Sequence, residues 1–182
     1  MSIIAVCKSA EHNMKKDVHS EINLLQGLGV EGDAHAGIYV QHLTRVKINP
    51  TTPNIRQVCL LHSELHDELK EKGFLKSAQP GEMGENITTR GLAIQDLPVN
   101  TKLHLGSGGA IIQLTGLRNP CRQLNDVEPE LMKACFEYDG EGKITHRKGG
   151  VMSIVLQGGI VKTGDNIVVE LPEEPHQPMV LV

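Results

Sequence analysis

The sequence has almost no aromatic residues: it contains two tyrosines, two phenylalanines and no tryptophan. Proteins that bind single-stranded nucleic acid stack the bases on such rings, so this class is disfavoured. Acidic residues outnumber basic ones by 22 to 18, which gives a formal net charge of −4. A mildly acidic surface also argues against a general polyanion binder. We therefore expect no nucleic-acid partner.

Long apolar runs are missing as well. The longest ones, such as residues 3–7, are far too short to span a bilayer, and the first eight residues lack the features of a secretory signal peptide. The four cysteines, at positions 7, 59, 121 and 135, form no C-x-x-C pair, which excludes zinc-knuckle and thioredoxin-type motifs. These absences predict a cytoplasmic protein with free thiols and no membrane partner.

Glycine, by contrast, is abundant and falls between short runs of valine, isoleucine and leucine. The 19 glycines are about 10% of the chain, compared with about 7% in average proteins. This pattern predicts short strands separated by tight turns, over residues 2–8, 58–61, 86–89, 102–105, 110–115, 151–156 and 166–171. Helical patterns are limited to residues 63–72 and 119–138, and we expect the second stretch to break before Pro129, with residues 130–136 as its later piece. We expect a mainly β fold, a closed or partly open β-barrel with a few short helices, in a single domain over residues 1–171.

Two segments do not follow this pattern. Residues 39–54 show no period and contain Pro50 and Pro53, which predicts a long mobile loop. Residues 172–182 do not continue the strand pattern, and we expect this C-terminal tail to fray. The alternative is that its apolar end docks on the body of the protein or on a partner.

The strongest chemical signal surrounds Cys121. Asn119 and Pro120 are favoured residues for the N-cap and the first position of a helix, so they predict that Cys121 lies in a first helical turn. The positive end of that helix and the flanking Arg118 and Arg122 would favour a thiolate over a thiol.

Such a thiolate at Cys121 can carry a persulfide or ligate a soft metal. The alternative for any free cysteine is a buried, unreactive side chain. We assign that alternative to the other three cysteines, because they lie in apolar strand or helix patterns: Cys7, Cys59 and Cys135.

Three further segments combine glycine with polar side chains. In residues 27–37, Asp33 and His35 can share one face of an extended chain, either as a base with its orienting carboxylate or as two ligands. In residues 80–89, backbone N–H groups and Asn86 suit a phosphate or an amide-rich heterocycle. In residues 146–150, cationic groups before two glycines suit an anion. Each segment is also compatible with an ordinary turn carrying solvated side chains.

Taken together, these segments resemble the MOSC domain, the C-terminal domain of molybdenum-cofactor sulfurases. The resemblance covers residues 20–171 and is carried, in the family's order, by residues 29–37, Arg56-Gln57-Val58 with Leu60-Leu61, residues 80–89 with Gly91-Leu92, residues 115–121, Gly149-Gly150-Val151 and Gly164-Asp165. Within this family, the sequence most resembles small stand-alone bacterial members. The insert at residues 39–54 departs from the family and could cover or reshape the pocket.

The resemblance implies a barrel of the pyruvate-kinase type and a molybdenum–pterin cofactor (Mo-molybdopterin). The family's signature cysteine corresponds to Cys121, which would be the catalytic residue and the ligand of the metal where one is bound. The cofactor-binding residues would be Gly32, Asp33, His35, Arg56, Gly84, Glu85, Asn86, Thr115, Arg118, Arg147, Gly149 and Gly150. Family sulfurases carry a separate domain that uses pyridoxal phosphate, and this cofactor is not expected in a chain of 182 residues.

Three functions remain open from the sequence. The first is a molybdenum-dependent oxidoreductase that reduces small N-hydroxylated or N-oxide substrates with electrons from a separate reductase. The second is a sulfur carrier that passes a persulfide on Cys121 from a donor protein to an acceptor protein. The third is a cofactor-binding module without catalysis. A homo-oligomer is compatible with each of them.

The basic residues are expected to act through an anionic ligand rather than through the fold. Arg56, Arg118, Arg147 and Lys148 would supply the phosphate contacts. We expect that alanine at Arg118 or Arg147 leaves the apo melting temperature nearly unchanged and lowers cofactor retention by at least about tenfold. The alternative is structural ion pairing of these arginines with Glu31, Glu82 or Glu85.

Overall fold

The structure is a computed structural model and describes residues 1–182. Thirteen strands make up most of it: β1 (Ser2–Lys8), β2 (Asp17–His19), β3 (Glu21–Leu25), β4 (Gly29–Val30), β5 (Val58–His62), β6 (Ile87–Arg90), β7 (Lys102–Leu105), β8 (Ala110–Leu117), β9 (Phe136–Tyr138), β10 (Ile144–Arg147), β11 (Val151–Gln157), β12 (Gly159–Lys162) and β13 (Ile167–Glu170). Four short helices complete it: α1 (Leu43–Val46), α2 (Ser63–Glu71), α3 (Leu124–Val127) and α4 (Leu131–Ala134).

Eight strands form one curved sheet in the order β13-β7-β8-β11-β5-β6-β1-β2. All neighbours are antiparallel except β5 and β6, which are parallel. Ser2 in β1 bridges Asn166 just before β13, so this edge of the sheet curls back toward β1 without a continuous ladder. The fold is therefore mainly β, with a large mixed sheet in the form of a partly open barrel, as predicted.

The core follows from the alternation of side chains along the strands. In β8, buried residues alternate with half-buried ones over eight positions, as expected for a strand with one face on the core. A smaller sheet has the order β12-β3-β4, and β9 pairs with β10. Twenty buried residues, most of them from the curved sheet and this smaller sheet, form the main core. A second cluster of seven lies under α2, where Leu65 and Leu69 pack against residues of the 124–135 region.

The seven predicted strands and the helix at residues 63–72 are present within one to two residues. The stretch at residues 119–138 is broken at Pro129, as predicted, and α4 lies within the predicted later piece, but each helical piece has a single turn and β9 follows them. The insert at residues 39–54 contains α1 and an isolated bridge between Tyr39 and Pro53, while its mobility stays a prediction. None of the helices has the length and apolar character needed to cross a membrane.

The tail docks on the body, contrary to the expectation that it frays. The amide of Leu117 donates to the carbonyl of Val180 at 2.8 Å, and the amide of Val182 donates back to Leu117 at 3.2 Å. Met179 is buried in the main core. Gly116 makes this pairing possible, because a Cβ there would lie 2.5 Å from the carbonyl oxygen of Val180. The domain boundary at residue 171 stays a prediction.

Candidate functional site

A cavity of about 420 Å³ opens beside the end of β8. Its wall comes from the loop after β1, the turn after β4, the insert, the segment after β8 and the end of the tail. Five cationic side chains line it, and no aspartate or glutamate does: Lys16, Arg45, Arg56, Arg118 and Arg122. In a chain with a net charge of −4, this concentration of positive charge marks a site for an anion.

Cys121 lies in the wall of this cavity, but not where the sequence placed it. The helix α3 begins three residues later and has a single turn, so the prediction of a first-turn position is wrong. The carbonyl of Cys121 accepts a turn hydrogen bond from the amide of Leu124 at 3.0 Å. The helix dipole therefore adds little at Cys121. Arg118 and Arg122 line the same cavity.

Cys121 is half-buried, whereas the other three cysteines are buried. Burial raises the pKa of Cys7 to about 12 and that of Cys135 to about 11. Burial also raises the pKa of Cys59, although its side chain borders the cavity. Cys121 is therefore the one accessible thiol of the chain.

The arginines at the cavity repel one another. Burial and the neighbouring Arg45 lower the pKa of Arg56 to about 10. Burial and the charge of Arg56, followed by smaller contributions from other cations, lower the pKa of His42 to about 4. The guanidinium of Arg56 donates to the main-chain oxygen of Val182, the last residue of the sequence. An anion bound between these groups would relieve the repulsion.

Arg118 has a structural part as well. Its Nη1 donates to the carbonyl oxygens of Met83, at 2.7 Å, and Gly149, at 3.3 Å. Its guanidinium therefore joins two loops of the protein, which argues against the expectation that Arg118 matters only through a ligand. Gly149 packs directly under this segment, where a Cβ would collide with the carbonyl of Arg118. Gly150 has a φ of +100°, so close packing and backbone conformation account for the glycine pair.

Asp33 and His35 form a pair at the wall. The carboxylate of Asp33 is buried and lies 3.2 Å from Nδ1 of His35. It also accepts from the amide of Asn86 at 3.0 Å and from the ammonium of Lys16. Burial raises the pKa of Asp33, but the hydrogen bond from His35 and the charge of Lys16 outweigh it and hold the pKa well below its usual range.

Some residues of the predicted site lie elsewhere. Glu85 is fully buried, and its Oε1 accepts from the amide of Gly81 at 2.6 Å, so it fixes the loop behind the cavity. The ammonium of Lys148 pairs with Glu68 at 2.6 Å and Glu137 at 3.0 Å. Arg147 ends β10 and does not line the cavity. The sequence left open that these arginines form ion pairs with Glu31, Glu82 or Glu85, and none of these ion pairs is present.

The cavity thus gathers part of the predicted set. The residues that line it are Cys121, His35, Arg56, Gly84, Asn86 and Arg118. The residues that do not are Gly32, Asp33, Glu85, Thr115, Arg147, Gly149 and Gly150. Sequence reasoning missed four charged or titratable residues of the wall: His12, Lys16, His42 and Arg45. The last two belong to the insert, and the sequence of the insert has no periodic pattern that would predict its position at the cavity.

Comparison with known proteins decides the family. The MOSC domain profile matches residues 51–168, more than half of the chain. The chain belongs to the MOSC domain family. Among solved structures, this MOSC domain is similar to the YuaD protein from Bacillus subtilis, with a TM-score of 0.75 and 21% identity over 95% of this chain and 98% of that one.

YiiM from Geobacillus stearothermophilus is also similar, with a TM-score of 0.60 and 20% identity over 97% of this MOSC domain and 76% of that chain. YiiM from Escherichia coli gives a TM-score of 0.59 and 20% identity over 97% and 73%. At this identity the likeness shows the fold alone. No curated protein matches the chain.

The residues of the cavity fit the cofactor with which the MOSC family is associated. A molybdenum–pterin carries a phosphate and a metal that accepts soft ligands. The arginines of the wall suit the phosphate, and the thiol of Cys121 suits the metal. No group of three or more His, Cys, Asp and Glu side chains is placed to hold a metal ion. A metal at Cys121 would therefore have to arrive with other ligands, as it does on a pterin.

Proposed function

We propose that the chain binds the molybdenum–pterin cofactor in this cavity, with Cys121 as the protein's ligand to the metal, and reduces small N-hydroxylated or N-oxide substrates. The observation that supports this most directly is the placement of the one accessible thiol in a cavity lined by five cationic side chains and by no aspartate or glutamate. Electrons would come from a separate reductase.

Each part of the wall has a distinct task in this proposal. Arg45 and Arg56 hold the phosphate by charge-assisted hydrogen bonds, and binding relieves their mutual repulsion. Asn86 offers amide groups to the heterocycle, while its own Nδ2 also bonds Asp33. Cys121 fixes the metal at the end of β8. When bound, the cofactor supplies the two-electron chemistry, and the protein positions it and its substrate.

A second function is supported by the same thiol. A persulfide on Cys121 would be stabilised as an anion by Arg118 and Arg122. Cys59, the other cysteine at the cavity, is buried, so no accessible second thiol is present to resolve that persulfide as a disulfide. The chain would then carry sulfur between two other proteins without a permanent metal.

Metal and pterin analysis of protein purified from a molybdenum-replete host separates these functions. We expect stoichiometric molybdenum and pterin in the wild type. Cys121→Ser and Arg56→Gln should each lower the content at least about tenfold, as expected for the loss of a charged contact. Lys70→Gln, on the exposed face of α2, is the matched control and should retain the cofactor.

The other outcomes contradict the proposal in distinct ways. Metal-free protein with a cyanide-labile sulfur on Cys121 supports the sulfur carrier. Protein with cofactor but without turnover of N-hydroxylated compounds and a chemical reductant supports the non-catalytic module.

A further inference from the structure

The Asp33–His35 pair is built more rigidly than phosphate binding requires. Both carboxylate oxygens of Asp33 are occupied: Oδ1 accepts from the backbone amide of His35 at 3.0 Å, and Oδ2 accepts from Ser9, Asn86 and Lys16. With these donors around it and its pKa far below the usual range, Asp33 stays ionised. It therefore accepts hydrogen bonds and supplies no proton itself.

The position of Asp33 decides which nitrogen of His35 is free. An ionised carboxylate can only accept, so Nδ1 of His35 carries the hydrogen that points to Oδ1, 3.2 Å away. Nε2 is then the nitrogen that gains and loses a proton. The ring of His35 lines the cavity, and its side chain is 28% exposed. A proton on Nε2 can therefore be exchanged between solvent and a ligand.

Two more histidines stand on either side of His35 and differ from it. The exposed ring of His12 has its centroid 5.2 Å away and its Nε2 engaged with the carbonyl of Gln41. The ring of His42 lies 6.2 Å away, and its pKa of about 4 leaves it uncharged at neutral pH. Among the charged groups, Asp33 contacts His35 directly, and Lys16 pairs with Asp33. Of the three rings, His35 alone has a carboxylate partner.

We propose that His35 is the catalytic acid of this site and that Asp33 is its positioning residue; this rests on the proposed function. Reduction of an N-hydroxylamine breaks the N–O bond, and R–NHOH with two electrons and two protons gives R–NH₂ and water. The reduced cofactor is the electron source. Nε2 of His35 gives one proton to the leaving oxygen, and the second proton reaches the nitrogen from solvent. His35 is then reprotonated from solvent on the side of His12.

The tautomer of His35 tests the geometry without cofactor. In the apo protein with ¹⁵N-labelled histidine, long-range ¹H–¹⁵N spectra should show neutral His35 with its hydrogen on Nδ1. His35→Gln identifies the signals. A neutral ring with its hydrogen on Nε2 would overturn the proposal, because Nδ1 would then not donate to Asp33. The measurement uses the wild-type chain, so it does not depend on whether Asp33 variants fold.

The loaded enzyme tests the chemical role. His35→Gln should retain molybdenum and pterin, lower kcat about 100-fold or more with little change in KM, and abolish the fall in activity at high pH that reports an essential acid. His104→Gln, on the exposed face of β7, should behave as wild type.

The failures of the two proposals are distinguishable. A wild type without cofactor or turnover overturns the proposed function and this inference with it. A wild type that is loaded and active, with unchanged kcat and pH profile in His35→Gln, overturns this inference alone. Parallel loss of cofactor and activity in His35→Gln would assign His35 a binding role and also overturn it.

Discussion

Cys121 differs from the other cysteines in access and in its neighbours, not in helix geometry. It is half-buried in a turn between Arg118 and Arg122. Burial raises the pKa of the other three thiols, which removes them from thiolate chemistry at neutral pH. The accessibility of Cys121 thus depends on the segment that follows β8, and not on the first helical turn that the sequence pattern predicted.

We predict that Cys121 is the fastest-reacting thiol of the chain. Its alkylation rate at neutral pH should exceed that of each other cysteine by about tenfold or more, because only its thiol is accessible and the buried thiols are protonated. Iodoacetamide labelling with peptide mass spectrometry, as a function of pH, measures this. In Cys121→Ser the fast phase should disappear, and its survival would refute the assignment.

Arg118 and Arg45 allow binding and folding to be separated. We predict that Arg118→Ala lowers the free energy of unfolding of the apo protein by about 1–3 kcal/mol, because the carbonyls of Met83 and Gly149 lose their donor. Arg45→Ala should change it by about 0.5 kcal/mol or less, since Arg45 is exposed and unpaired. Urea unfolding measures both. Equal stability of the two variants would contradict this division.

Two segments outside the eight-stranded sheet, the tail and the insert, contribute to the wall of the cavity. The tail pairs with the end of β8 and brings Val182 to Arg56. The insert brings His42 and Arg45 to the same cavity, where the charge of Arg56 acts on both. Neither is a strand of the main sheet, so the shape of this pocket depends on packing between segments that are distant in sequence.

We predict that Gly116→Ala displaces the tail. A Cβ at Gly116 would lie 2.5 Å from both the carbonyl oxygen of Val180 and a methyl carbon of Val182, so the pairing must shift, at a cost of about 1–3 kcal/mol. Urea unfolding and limited proteolysis of the tail should both report the change. Gly140→Ala has no heavy atom within 4 Å and is the control. Wild-type stability and protection in Gly116→Ala would contradict the docking.

The strands were predictable because β-branched and aliphatic runs are bounded by glycine turns, and local pattern decides such elements. The 119–138 region was predictable in part: Pro129 indicates the break, but the sequence does not show that each helical piece is a single turn whose Leu124 or Leu131 packs into the cluster under α2. Tail docking was only the alternative to fraying, for another reason. It depends on Gly116, which sequence alone presents as an ordinary break in a strand.

The candidate site was predictable where one short motif carries it, as for Cys121 with Arg118 and for Asp33 with His35. It was not predictable where an ion pair or a packing contact determines whether a residue is free to meet a ligand. The sequence presents Lys148 as a free cation, but in the structure Glu68 and Glu137 pair with it. The sequence presents Gly149 as a position where the backbone is accessible to a ligand, but in the structure the main chain at Arg118 lies against it.

For the whole molecule, charge is distributed unevenly. The net charge is −4, yet the cavity is lined by five cationic side chains and by no aspartate or glutamate, and Lys16 is the one of the five that pairs with a carboxylate, that of Asp33. Several histidines are held uncharged: burial lowers the pKa of His42 to about 4 and also lowers the pKa values of His62 and His66. Stability and anion binding should therefore both respond to pH through histidine.

We predict that the apo protein loses stability as the pH falls from about 7 to about 5. Unfolded histidines titrate near pH 6.5, whereas these three titrate lower in the folded chain, so the unfolded state binds more protons in this window and the free energy of unfolding decreases. Inorganic phosphate should reduce the loss, because an anion beside Arg56 makes protonation of His42 less costly. Melting temperatures across this range, with and without phosphate, measure both effects.

His42→Gln should show a smaller loss of stability at low pH, and its phosphate effect should depend less on pH. His176→Gln, which is exposed in the tail, should follow the wild type. A phosphate effect that is the same at both pH values in the wild type would contradict the placement of the anion next to His42.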